Sequence, residues 1–193
     1  MYSYNTIMLQ PKVPDRWVKE ISQVLISQTK LAYRVEQLAL SIENDYQGKE
    51  LVLVSLLNGT VVFLADLIRN LSLPVRLDFI GVSSYRMETT SGELVFTKEL
   101  KLDIKGKEVL LIDDILDTGK TLSRVKDNLS KLGPNSIKTC VLLSKVARRV
   151  VPIQADYVGF EIPDLFVVGY GLDYAERYRN LPFVGVLQPE VYS

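Results

Sequence analysis

Apolar residues along this chain alternate between unbroken runs and looser sets at helical spacing. The runs Leu51-Val52-Leu53-Val54-Ser55-Leu56-Leu57, Val109-Leu110-Leu111-Ile112 and Ser136 to Leu143 predict strands buried on both faces, as in a parallel sheet. Between and around them, the spacing predicts helices from Asp15 to about Leu25, from about Leu31 to Asn44, from Val61 to Leu71 and from Leu122 to Leu132. Further strands are expected at Leu77 to Ser83, Phe166 to Val168 and Phe183 to Leu187, and the segment Tyr85 to Glu99 reads as an exposed hairpin. Strands alternating with helices in this way define an α/β fold built on a mostly parallel, twisted sheet flanked by helices.

The most informative junction follows Ile112. The buried run switches to Asp113-Asp114, a third carboxylate stands at Asp117, and Thr118-Gly119-Lys120-Thr121 then opens a helix. Open α/β sheets bind ligands beyond the carboxyl ends of their strands. Backbone N–H groups, hydroxyls and a helix N-terminus at such a turn form an anion site suited to phosphate. It is not a P-loop, because position 114, where that motif needs a glycine, is aspartate. A capped surface turn with a solvated acidic pair is the plainer alternative. Asn58-Gly59-Thr60 repeats the strand-turn-helix geometry, either as a second anion-binding turn or as a helix start capped by Asn58.

Composition removes several classes of chemistry. The 193-residue chain has 47% hydrophobic and 24% charged residues, enough for one well-filled globular domain. There is no histidine, which excludes Ser-His, Cys-His and His-zinc sites and leaves carboxylate, lysine or tyrosine for proton transfer. The single cysteine, Cys140, lies in an apolar run and reads as a buried structural thiol. A formal net charge of zero argues against broad binding to nucleic acid or anionic membrane. With no apolar stretch of about 18 residues and no leader pattern, cytoplasmic residence is the expectation.

The run Asp113-Asp114-Ile115-Leu116-Asp117-Thr118-Gly119-Lys120-Thr121 resembles the phosphoribosyl-diphosphate (PRPP) signature of type I phosphoribosyltransferases. The stretch Val158-Gly159-Phe160-Glu161-Ile162-Pro163-Asp164, with Gly169-Tyr170-Gly171-Leu172-Asp173-Tyr174, resembles their hypoxanthine-guanine branch. The likeness spans roughly Leu31 to Leu187. It implies a phosphoribosyltransferase domain over residues 31–193 with a small hood lobe and a flexible hairpin flap, preceded by an N-terminal extension, 1–30, holding one helix.

The resemblance implies transfer of the 5-phosphoribosyl group from PRPP to N9 of hypoxanthine or guanine, giving IMP or GMP. Asp113 and Asp114 would hold the ribose hydroxyls, and Thr118, Gly119, Lys120 and Thr121 the 5′-phosphate. Asp117 would take the purine N7 proton. Lys145 is assigned to the 6-oxo group, Phe166 to stacking on the purine, Ile115 and Leu172 to packing beside it, and the Val167 backbone to the base edge. Asp173 would hold Mg2+, and Arg179 would approach pyrophosphate. The family usually carries lysine where Asn58 stands, which leaves Asn58 and Gly59 a backbone contribution. Ser84 and Tyr85 fall at the base of the flap. The family commonly forms dimers or tetramers, and an exposed apolar face on the helix near Val61 to Leu67 is the expected contact. Transfer to xanthine or another base, and a PRPP-sensing regulator that binds nucleic acid, remain alternative readings.

Overall fold

The structure, a computed structural model, describes residues 12–84 and 94–193. Six strands form the main sheet: β2 (Leu51–Leu57), β3 (Val75–Ser84), β4 (Leu94–Lys98), β5 (Glu108–Leu116), β6 (Ser136–Ser144) and β7 (Tyr157–Glu161). Their order is β4-β3-β2-β5-β6-β7, with only β4 antiparallel to its neighbour. A second, three-stranded antiparallel sheet runs β1-β9-β8, from β1 (Ile21–Ile26), β9 (Val184–Leu187) and β8 (Val167–Val168).

The unbroken apolar runs have a direct physical reason. Alternate residues of a strand point to opposite faces, and both faces of the main sheet are covered. Leu51, Leu53, Leu110 and Ile112 pack under α1 (Gln28–Tyr46) and α2 (Val61–Asn70). Val52, Val54, Val109 and Leu111 pack on the other side under α3 (Lys120–Ser130), through Leu122, Val125 and Leu129. Arg34 of α1 donates to the carbonyls of Val158 (2.7 Å) and Gly159 (2.8 Å), occupying acceptors of the edge strand β7.

That arrangement also locates the ligand crevice. From β2 the chain crosses through α2 to β3, and from β5 it crosses through α3 to β6, in opposite directions and on opposite faces. The boundary between β2 and β5 is therefore the topological switch point, where open α/β sheets bind ligands. Pairing of β2 with β5 ends at Ser55–Ile112, whereas β5 stays paired with β6 as far as Leu116–Ser144. The two strands part just as the chain reaches Asp113.

Several expectations need correction. No helix runs from Asp15 to Leu25: a single 3-10 turn, Asp15–Trp17, precedes strand β1. Ile21 and Val24 fit helical spacing, but pairing of β1 with β9 overrides the local pattern. The Asp113-Asp114 pair does not follow β5 but lies inside it. The expected apolar face on α2 is largely turned inward. Phe63, Leu64 and Leu67 belong to the main core, and Val61 is the exposed residue at 47%. Of the expected hairpin from Tyr85 to Glu99, residues 85–93 lie outside the described residues; β4 pairs with β3 in register Ser84–Leu94 to Gly81–Lys98, forming a β3–β4 hairpin instead. Tyr85 lies outside the described residues, and Ser84 closes β3. Cys140 is buried, which pushes its thiol up to about 12.

Asp78 fastens the foot of that hairpin. Its carboxylate accepts from the N–H groups of Phe79 (2.7 Å) and Leu102 (2.9 Å), from Lys101 N–H, and from the Lys98 ammonium (3.0 Å). Burial alone would raise its pKa, but these donors outweigh burial and hold it at about 2. A carboxyl held below its unfolded value stabilises the fold above pH 4 and loses that contribution as the pH falls toward 2. Asp78→Asn is therefore expected to cost on the order of 2 kcal/mol at pH 7. In urea melts, the gap between variant and parent should close as the pH is lowered from 5 to about 2; a gap independent of pH would remove the carboxylate from this role.

Candidate active site

The parting of β2 and β5 leaves a cavity of about 340 Å³, walled by Asp113, Asp114, Asp117, Thr118, Gly119 and Thr121, with Leu57 and Gly59 opposite. A second cavity of about 230 Å³ is walled by Lys145, Phe166, Val167, Leu172 and Asp173. Asp114 and Ile115 line both. They form the partition between a chamber walled mainly by acidic and hydroxyl side chains and one that mixes Phe166, Val167 and Leu172 with Lys145 and Asp173.

Asp113 and Asp114 sit where water is scarce and each repels the other. Asp113 is buried, and burial followed by the Asp114 charge pushes its pKa well up; burial raises Asp114 as well, with Arg179 opposing. The N–H of Asp114 donates to Asp113 Oδ1 (3.0 Å), and the N–H of Ile115 to Asp114 Oδ1 (2.8 Å), fixing both carboxyl groups against the strand. The β2–α2 turn closes against this pair because position 59 has no side chain. A Cβ on Gly59 would lie 1.7 Å from Asp114 Oδ2. The peptide bond between Leu57 and Asn58 is cis.

The β5–α3 loop is braced from outside. Arg149 donates to the Asp117 carbonyl (3.0 Å), and the N–H groups of Val150 (3.0 Å) and Val151 (3.2 Å) donate to the Thr118 carbonyl. Gly119 takes a left-handed conformation, φ 85°, that side chains rarely adopt. As the residue capping α3 it offers no side-chain acceptor; Lys120 N–H makes only a long bond to Thr118 Oγ1 (3.4 Å), so the start of the helix can still serve an anion. Asp117 itself is engaged: Arg148 Nε donates to Asp117 Oδ1 (2.9 Å).

The second chamber draws on distant segments. Lys145, at the end of β6, is only 8% exposed rather than solvated, and its ammonium lies 3.6 Å from Asp164. Phe166 is 38% exposed, not the core residue that spacing alone suggests. Val167 and Leu172 are buried beside it. Asp173 pairs with Arg179 (3.0 Å) and accepts from the N–H of Glu176 (3.0 Å), while Arg179 also reaches the Gly171 carbonyl (2.9 Å). Asp113, Asp114, Ile115, Asp117, Thr118, Gly119, Thr121, Gly59, Lys145, Phe166, Val167, Leu172 and Asp173 are thus brought together around the paired cavities. Lys120 is exposed at the first turn of α3. Sequence reasoning assigns no site role to Arg148, and names Asp164 only as part of a motif. Their pairing with each other (3.6 Å), Asp117 and Lys145 depends on where the 3-10 turn after β6 folds back.

A buried acid pair at the switch point of a parallel sheet, facing a helix-start anion loop, defines the class of type I phosphoribosyltransferases, and the Phosphoribosyl transferase domain family matches residues 23–175. Among relatives, the chain is 44% identical over 175 residues to the hypoxanthine-guanine phosphoribosyltransferase of Bacillus subtilis, covering 90% of this chain and 97% of that protein. It is 45% identical to the Bifunctional protein TilS/HprT of Listeria monocytogenes, covering 90% of this chain and 27% of that protein. The chain therefore spans about a quarter of the length of those bifunctional relatives. A crystal structure of a hypoxanthine phosphoribosyltransferase from Staphylococcus aureus superposes with a TM-score of 0.88 at 43% identity, covering 94% of this chain and all of that one. This chain belongs to the hypoxanthine-guanine phosphoribosyltransferase family.

The contact between Gly59 and Asp114 yields a coupling test. Gly59→Ala should destabilise the fold by about 1–3 kcal/mol, the usual cost of overpacking. In an Asp114→Ala background the obstructing oxygens are gone, so the same change should cost markedly less. Urea unfolding of the four proteins measures it; strictly additive penalties would separate Gly59 from Asp114.

Proposed function

We propose that the two cavities hold the two substrates of one reaction: PRPP in the chamber at Asp113 to Thr121 and a 6-oxopurine, hypoxanthine or guanine, in the chamber of Phe166, Leu172 and Lys145. The observation that carries this reading is the shared wall at Asp114 and Ile115, which puts a sugar-phosphate site and a base site edge to edge. Membership of the family supports the same pairing.

In this reading the 5′-phosphate rests on the N–H groups and hydroxyls of Thr118, Gly119, Lys120 and Thr121. The ribose 2′ and 3′ hydroxyls donate to Asp113 and Asp114, whose crowded carboxyls gain from each hydrogen bond. As the bond from C1′ to pyrophosphate breaks, positive charge grows on the ribose ring. Nearby carboxylates stabilise that charge more than the neutral ground state. Purine N9 forms the new bond to C1′, and Asp117 accepts the proton from N7. Arg148 Nε restrains the Asp117 carboxylate through its hydrogen bond to Oδ1 (2.9 Å).

The base is held by stacking on Phe166 and by packing against Ile115 and Leu172. Lys145 donates to the 6-oxo group, a contact that Asp164 supports by holding the ammonium in place. The Val167 backbone meets the base edge. The β2–α2 turn, through the backbone of Asn58 and Gly59, and Arg179 face the pyrophosphate. Ser84, which closes β3, stands at the position that the resemblance gives to the base of a water-excluding flap, and Tyr85 lies outside the described residues.

A divalent cation suits this donor set. Mg2+ takes oxygen ligands, commonly one or two carboxylates with the remainder from phosphate and water. Asp173 offers a carboxylate at the wall of the base chamber, beside Asp114. Among the described residues no group of three or more His, Cys, Asp or Glu side chains forms a ready-made metal cage. That fits an ion delivered with its phosphate ligand. Bound there, Mg2+ neutralises charge on the departing pyrophosphate.

The direct test incubates the protein with PRPP, Mg2+ and each purine base separately and follows pyrophosphate and nucleotide. Formation of IMP or GMP is expected; turnover with xanthine alone would move the base assignment, and turnover with none would overturn the reading. Asp117→Asn should lower kcat by about 10²-fold or more, the worth of a positioned base, with PRPP affinity nearly intact. Lys145→Gln should raise the purine KM, and a larger loss of PRPP binding would show that Lys145 serves the other substrate.

A further inference from the structure

We propose that Tyr192, on the C-terminal turn, is a positioning residue for the purine: it backs Phe166 on the face turned away from the base chamber and so fixes the plate on which the base stacks. The inference rests on the functional reading above. Its observation is a stacked pair, with the Phe166 and Tyr192 rings 4.6 Å apart and inclined by 19°. Tyr174 meets both edge-on, at 5.6 Å and 87° to Phe166 and at 6.4 Å and 69° to Tyr192. Phe166 lines the base chamber and Tyr192 does not, so the stack leaves the chamber side of Phe166 free.

An exposed phenylalanine needs such support. Phe166 is 38% open to solvent, and the hydrogen bond from Leu187 N–H to its carbonyl (2.9 Å) ties its main chain but does not restrain the ring. A ring free to turn would lose entropy each time a base stacked on it. Held between Tyr192 and the edge of Tyr174, it has already lost that freedom.

Tyr192 is in turn well anchored. Its short helix α4 (Pro189–Tyr192) begins after Gln188, whose N–H donates to the Glu20 carbonyl (2.8 Å) and whose side-chain amide donates to the Val18 carbonyl (3.0 Å). Val191 packs into the cluster around Ile21 and Leu187. The C-terminal turn is thus clamped to the segment ahead of β1, and it carries the Tyr192 ring to Phe166. Tyr192 touches no substrate in this arrangement and acts through Phe166 alone.

The test compares wild type, Tyr192→Ala, Tyr192→Leu and Tyr192→Phe for purine KM, PRPP KM, kcat and thermal midpoint. Loss of one aromatic pair predicts purine KM values about 3- to 10-fold higher in the Ala and Leu variants. The PRPP KM should stay within about twofold, and Tyr192→Phe should restore the wild-type purine KM. The Leu variant keeps an apolar cover over the turn, so it carries the test if the Ala variant fails to fold. Three results overturn the proposal: an unchanged purine KM in folded Ala or Leu variants, a parallel rise in both KM values, or a fall in purine KM, which would make Tyr192 an occupant of the base site. A wild-type protein that transfers no phosphoribosyl group would instead defeat the functional reading, and that arm is read separately.

Discussion

Two carboxyl groups kept beside each other with little water are the constraint around which this molecule is arranged. Carboxylates a few ångströms apart repel by about 4 kcal/mol at an effective dielectric of about 20. Burial of Asp113 and Asp114 adds to that penalty and pushes both toward their neutral forms. The fold tolerates them because β5 remains paired with β6 on one side while β2 has already turned away on the other. The opening so made exposes them to the cavity walled by Thr118, Gly119 and Thr121. Gly59 closes the opposite wall to the limit that a chain without a side chain permits. In the proposed reading, the free energy sacrificed in folding this pair would be recovered when hydroxyl donors and a cationic ring arrive, the condition for binding a transition state more tightly than a substrate.

How much of this was legible in the sequence depended on how local the cause was. The strands β2, β5 and β6 announce themselves because each is covered on both faces, leaving no polar alternation to confuse the pattern. The anion loop is equally legible, since Asp113 to Thr121 carries its chemistry within one strand-to-helix connection. Ile21 to Ile26 is the opposite case. Ile21, Val24 and Leu25 match a helix as well as a strand, and the deciding partner, β9, lies more than 150 residues further along the chain. Lys145 and Phe166 are assigned by resemblance, since nothing in their own spacing marks a buried ammonium or a half-exposed ring. Each environment is set by a neighbour from another segment, Asp164 for Lys145 and Tyr192 for Phe166.

The smaller sheet explains why the second chamber could not be read as a unit. Its strands are short, and β8 contributes only Val167 and Val168. Strands that brief gain their order from partners rather than from propensity. β1 and β9 supply those partners from either side of the main fold, so the wall bearing Val167 and Phe166 depends on segments from both ends of the described chain. Hydrogen bonds from Gln188 to Glu20 and Val18 fasten the same two regions beyond the strands.

The two chambers therefore differ in how they respond to change. The donor side is built from one connection and the turn facing it, on the largest sheet, with its loop carbonyls held by Arg149, Val150 and Val151. A substitution there meets packed backbone and a buried acid pair, so it disturbs fold and function together. The acceptor side is assembled from Lys145, the segment around Phe166 and Leu172, and the C-terminal turn, several of them partly exposed. Substitutions on that side alter the second cavity and meet the acid pair only at Asp114. The partition at Asp114 and Ile115 belongs to both, and it is the place where a change in one substrate's fit must register in the other's.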